Sequence, residues 1–140
     1  FDGSGYSQKA FDKALEIAEK FASKLIVVTV LQSKIADSTG ISLERMQEIQ
    51  DEEKDTATIM LKKLESQANA KNVSFLMEVI HNPSSSDGIV IFADKNNVDL
   101  IVIGSHGRTG FRKIVLGSVA NGVLEHAKCP VLITKGTDSE

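Results

Sequence analysis

The chain has 140 residues, 41% of them hydrophobic, with 16 Lys+Arg against 19 Asp+Glu. At roughly 150 residues per domain this is one ordinary domain, large enough to bury about two-thirds of its unfolded surface without a disulfide or metal staple. One cysteine excludes an internal disulfide, no apolar run reaches the roughly 18 residues of a membrane span, and a formal charge of −3 argues against nucleic acid as a partner.

The elements follow in chain order. Residues 7–23 place Phe11, Ala14, Leu15, Ala18, Phe21 and Ala22 at helical spacing, with Lys9, Asp12, Lys13, Glu16 and Lys20 opposite. This is an amphipathic helix, with Ser7 as its expected N-cap. Leu25 to Leu31 is a seven-residue run rich in β-branched side chains, as in a strand covered on both faces. Residues 33–42 read as a loop. Ser42 then caps a long helix with apolar Leu43, Met46, Ile49, Ala57, Met60, Leu61, Leu64 and Ala68. Its acidic front half (Glu44, Glu48, Asp51, Glu52, Glu53, Asp55) reads as a solvated outer face near the positive end of the helix dipole.

Val73 to Ile80 is a second strand, and Ser85 or Ser86 caps a helix running to about Asn97. Val98 to Ile103 is a third strand, Gly104 to Gly110 a glycine-rich loop, Ser118 to Ala127 a helix and Pro130 to Thr134 a last strand. Strict alternation with short connections predicts an α/β fold: an open, mostly parallel sheet with helices on both faces, Rossmann-like, over residues 1–136. Residues 137–140 form a polar tail. Such folds usually open with a strand, whereas the first element here is a helix. The start Phe1-Asp2-Gly3-Ser4 does not read as a signal peptide, which points to the cytoplasm.

In open parallel sheets the ligand crevice lies beyond the carboxyl ends of the strands. Gly104-Ser105-His106-Gly107-Arg108-Thr109-Gly110 follows a strand directly, and its glycines let backbone N–H groups approach an anion. Gly117-Ser118 opens a helix, where free N–H groups and the dipole favour phosphate. Residues 101–135 hold five basic residues, Arg108, Arg112, Lys113, Lys128 and Lys135, against Glu125 alone. That segment is therefore +4 within a chain of −3, which points to an anionic small ligand. Tight turning alone would also account for the glycines. Neither G-x-x-x-x-G-K-[ST] nor G-x-G-x-x-G occurs.

The pattern present is Gly104-x2-Gly107-x9-Gly117-Ser118, which resembles the ATP-binding branch of the universal stress protein family and its G-x2-G-x9-G-[ST] motif. Asp2-Gly3-Ser4 looks like the end of that family's first strand, Val98 to Arg108 like its fourth with the following loop, and Cys129 to Ile133 like its last. The resemblance implies a five-stranded sheet whose first strand would precede Phe1. It also implies nucleotide contacts at Asp2, at the backbone of Val30, along Ile103, Gly104, His106, Gly107 and Arg108, and around the phosphates at Gly117, Ser118, Val119 and Ala120. Asn82 stands where the family is expected to have Gly, and a left-handed conformation there would suit Asn. ATP, accompanied by Mg²⁺, is the implied ligand, although the sequence shows no carboxylate cage for the metal. A homodimer through Pro130 to Thr134 is the implied assembly.

Other residues invite readings of their own. His106 is a loop or ligand contact, His81 and His126 are structural, and no histidine pair has chelating spacing. Cys129 suits a small half-buried apolar role, and Gly122 within a helix suits close packing. Arg108 and Arg112 either reach the phosphates or stand as rim charges. Three functions stay open: a nucleotide-dependent regulator, a slow ATPase or self-phosphorylating enzyme working through Asp2, Ser118 or His106, and a scaffold holding another adenine nucleotide or none.

Overall fold

The computed structural model describes residues 1–32, 40–108 and 115–136. Its elements are α1 (Gly5–Phe21), β1 (Leu25–Leu31), α2 (Leu43–Ala70), β2 (Phe75–His81), α3 (Ser85–Lys95), β3 (Ile101–Gly104), α4 (Ser118–His126) and β4 (Val131–Thr134). The strands form two parallel pairs, β1 with β2 from Leu25↔Phe75 to Leu31↔His81, and β3 with β4 from Ile101↔Val131 to Gly104↔Thr134. A parallel pair needs a crossover, and α2 and α4 supply the two. The α/β class with parallel strands is as expected. The expected five-stranded sheet is represented among the described residues by these four strands.

The first two residues tie the pairs together. The Phe1 nitrogen donates to the Val28 carbonyl at 2.6 Å, and the Phe1 carbonyl accepts from Thr29 Oγ1 at 2.7 Å, both on β1. Asp2 accepts from the Arg108 N–H just beyond β3. One apolar cluster joins α1, β1 and α2 through Phe11, Leu15, Ala18, Val27, Leu61, Leu64 and Ala68. A second sits between α3, β3 and α4 around Ala93, Ile101 and Val123. Helix α1 lies against strands of both pairs.

Local chemistry corrects several expected boundaries. Helix α1 is capped by Ser4, whose Oγ accepts from the Ser7 N–H at 3.2 Å, and not by Ser7. Its polar first turn carries no apolar periodicity to reveal it. Phe21 is 75% exposed and Ala22 takes a left-handed φ of 50° as the C-cap, so neither joins the core. Ser84, and not Ser85 or Ser86, caps α3. Ser42 caps α2 as expected. Asn82 does not take a left-handed φ. Its Oδ1 instead accepts from the Ser84 N–H at 2.9 Å, a local turn that leads into the α3 cap. Gly122 is where α4 meets α3: a Cβ there would stand 2.6 Å from Ser86 Oγ.

Candidate functional site

The loop after β3 runs against α1, the start of α4 and the end of β4, and its composition permits each approach. A Cβ on Gly104 would stand 2.9 Å from the Tyr6 carbonyl oxygen on α1. One on Gly117 would stand 3.0 Å from the Ser105 carbonyl oxygen and 3.3 Å from His106 Cα. These neighbours are backbone atoms, which cannot swing aside as a side chain can.

Between these glycines lies Ser105, only 3% exposed. Its N–H donates to the Thr134 carbonyl at 2.9 Å, its carbonyl accepts from the Gly117 N–H at 2.7 Å, and its Oγ lies 2.9 Å from His106 Nδ1. One residue thus joins β3, β4 and α4. The His106 ring packs on Tyr6, with centroids 5.2 Å apart and planes inclined at 49°. Neither Tyr6 nor Ser105 stands out as a functional residue in the sequence. The available signals were the chain's sole tyrosine, just after the Asp2-Gly3-Ser4 segment, and a small hydroxyl residue inside the glycine loop.

Helices α1, α2 and α3 each begin with a serine side chain capping an N–H of the first turn. Gly117 gives α4 no side-chain cap. The N–H groups of Ser118, Val119 and Ala120 are therefore left to partners other than a cap, and an anion is the partner that such an end favours. Ser118 is exposed, Val119 packs against the second cluster and Ala120 is buried, so the last two can offer only main-chain groups.

Asp2 faces the same loop. Oδ1 accepts from the Ser4 N–H at 2.9 Å and Oδ2 from the Arg108 N–H at 3.0 Å. Oδ2 also lies 3.1 Å from where a Cβ on Gly107 would be. The Arg108 guanidinium turns back beside Gly3, where Met60 of α2 also reaches. Asp2, His106, Gly107, Arg108 and Gly117 are thus brought together around one loop. Ile103 lies at its entrance, with its side chain in the second cluster. Val30 stands near the end of β1, its side chain against Gly88 at the α3 start. Thr109, Gly110, Arg112, Lys113 and the tail 137–140 lie outside the described residues. Two surface grooves lie elsewhere, one between α1 and β4 and one beside Cys129 and the C-terminal ends of α3 and α4.

Burial would raise the Asp2 pKa, but hydrogen bonds from Ser4 and Ser7 outweigh it and hold the carboxyl below its ordinary 3.8. A carboxyl with a depressed folded pKa contributes stability that is fully present above its unfolded pKa and is lost as pH falls through the folded one. Asp2→Asn should therefore lower stability at neutral pH and flatten the fall in stability below about pH 4. Urea titrations of both proteins across about pH 2–7 check this; parallel acid limbs would mean that the Asp2 contacts contribute nothing.

Residues 1–135 match the universal stress protein family. A universal stress protein of Methanocaldococcus jannaschii, MJ0531, is 34% identical over 140 residues, spanning 99% of this chain and 81% of its own. Universal stress protein UspA of Lactobacillus plantarum superposes with a TM-score of 0.81 at 24% identity, covering 94% of this chain and 91% of its own. A universal stress protein in complex with cAMP superposes at 0.69 and 25% identity, over 98% and 93% of the two chains. One from Archaeoglobus fulgidus in complex with dAMP does so at 0.68 and 24%, over 95% and 90%. The chain from Phe1 to Lys135 belongs to the universal stress protein family.

Proposed function

We propose that this protein binds an adenine nucleotide, ATP foremost, at the loop between β3 and α4, and acts as a nucleotide-dependent stress regulator. The observation that carries this is the seating of Gly117 on Ser105 and His106, which sets an uncapped helix start beside a glycine loop. The adenine nucleotides bound by the two similar proteins support the ligand class. In this reading the phosphates take the N–H groups of Ser118, Val119 and Ala120 and the Ser118 hydroxyl. The backbone of Ile103, Gly104, His106, Gly107 and Arg108 lines the middle of the ligand, and Asp2 and Val30 meet its nucleoside end.

Anion and carboxylate repel, so Asp2 suits ribose hydroxyls and not phosphate. Both Asp2 oxygens already accept backbone N–H groups, so Mg²⁺ would be carried by the triphosphate oxygens and water. The working unit is a homodimer through β4, which pairs with β3 on one side and among the described residues has no strand on the other.

With no Trp and one Tyr the protein absorbs weakly at 280 nm, so retained nucleotide dominates its ultraviolet spectrum. Gently purified protein should show an adenine spectrum, and stripped protein should bind ATP by calorimetry. A protein-like spectrum together with no ATP heat would remove this reading. Slow turnover in the same pocket would instead release ADP or leave phosphate on the protein, which the same sample reports.

A further inference from the structure

The outer face of α2 carries a charge pattern that the helix balances only in part by itself, Lys54 adjoining Asp51 alone among its acids. On a helix, residues three and four apart are neighbours. Glu48 therefore adjoins Asp51 and Glu52, while Asp55 adjoins Asp51 and Glu52, all four exposed and all acidic. Arg45 is occupied by Glu48 at 2.9 Å. The neighbours of Asp55 on its other side are Thr58 and Ile59, and those of Lys63 are Ile59, Met60, Ser66 and Gln67, so neither has an opposite charge within helical reach. The helix dipole explains acid in the first turn and base in the last, but its influence fades before mid-helix.

Ile59 sits between the two signs. It is 62% exposed, whereas Leu61, Leu64 and Ala68 on the inner face are buried. Asp55 lies one turn before it and Lys63 one turn after it, with Lys62 alongside, all exposed. An apolar residue flanked by acid on one side and base on the other is self-complementary under a two-fold axis. Placing the axis at Ile59 sets Ile59 on its own copy, Asp55 against Lys63 of a second copy, and Glu52 against the second copy's Ser66, one turn from its Lys62. A helix of 28 residues, about 42 Å long, offers enough length on both sides of the axis.

We infer that α2 is a homotypic docking surface, pairing antiparallel with α2 of a second copy about Ile59. The contact is small and charge-led, so it is weak, favoured by high protein concentration and screened by salt. It is distinct from the β4 edge, because α2 packs on β1 and β2. With a β4 dimer it would link dimers into larger assemblies.

Cysteine cross-linking tests it. In a Cys129→Ser background, Ile59→Cys places two thiols at the axis, where their effective concentration is high. Glutathione disulfide oxidises the pair to an intermolecular disulfide and leaves as two glutathione thiols. Ile59→Cys should cross-link about tenfold faster than Leu43→Cys or Ile91→Cys, two other exposed positions, and high salt should slow it. Adding Asp55→Lys should remove the advantage, and Asp55→Lys with Lys63→Asp should restore it. Cross-linking no faster than the controls, or unchanged by Asp55→Lys, would overturn the inference. Apart from half-buried Cys129, whose serine background all the variants share, these positions are exposed, so circular dichroism should confirm an unaltered fold.

Discussion

Gly117→Val should lower ATP affinity by about a hundredfold or more while leaving the chain folded. The backbone at Gly117, φ −66° and ψ 160°, is open to any residue, so the substitution acts through space and not through conformational freedom. The added carbons meet the Ser105 carbonyl and His106 Cα, neither of which can rotate away. The start of α4 must therefore move off the loop, and the 2.7 Å bond from Gly117 N–H to Ser105 lengthens with it. Hydrogen bonds to a charged group contribute about 1.5–3 kcal/mol each, so misplacing two gives a loss of at least ~3 kcal/mol. A tenfold change corresponds to about 1.4 kcal/mol. Ser118→Ala removes only a hydroxyl and should weaken binding by about tenfold. Calorimetric titration of the three proteins checks the order; a Gly117→Val affinity equal to the parent's would place the phosphates elsewhere.

The parts of this site legible in the sequence are those where composition itself carries the geometry. A Cβ at Gly104 or Gly117 would crowd backbone atoms and one at Gly107 the Asp2 carboxylate, at 2.9–3.1 Å, and the spacing of the three survives as a pattern in one dimension. Tyr6 and Ser105 work through contacts across the fold, with His106, Gly117 and Thr134, and no local pattern announces such contacts. The same distinction governs the elements. Leu25 to Leu31 is a strand over the whole of its apolar run, because burial and β-propensity coincide there. Val98 reads as strand and Val73 as the start of one, yet both serve as anchors in the apolar clusters just before shorter strands, since packing needs no ladder bonds. The serine caps at residues 4 and 84 differ from the expected ones because nearby serines offer equal side chains and only the turn geometry selects one.

Leu61→Ala should be the most damaging truncation in the first cluster, lowering stability by about 2–5 kcal/mol. Leu61 has 0% exposure and packs among Phe11, Leu15, Val27, Leu64 and Ala68, residues drawn from α1, β1 and α2, so the cavity left behind cannot collapse from one side. The urea midpoint should fall with the slope unchanged. Leu43→Ala, on the same helix but 80% exposed, should stay within about 0.5 kcal/mol. Equal effects at the two positions would mean that α2 is not anchored as described. Met60, next to Leu61, reaches Gly3 beside the Arg108 guanidinium, so α2 also bears on the loop after β3. ATP at about 100 times its dissociation constant stabilises a binding-competent fold by about 2.7 kcal/mol. It should therefore recover much of the Leu61→Ala deficit, measured as a nucleotide-dependent rise in midpoint, and do almost nothing for Gly117→Val at the same concentration. A rescue of Gly117→Val as large as that of Leu61→Ala would separate the stabilising ligand from the α4 start.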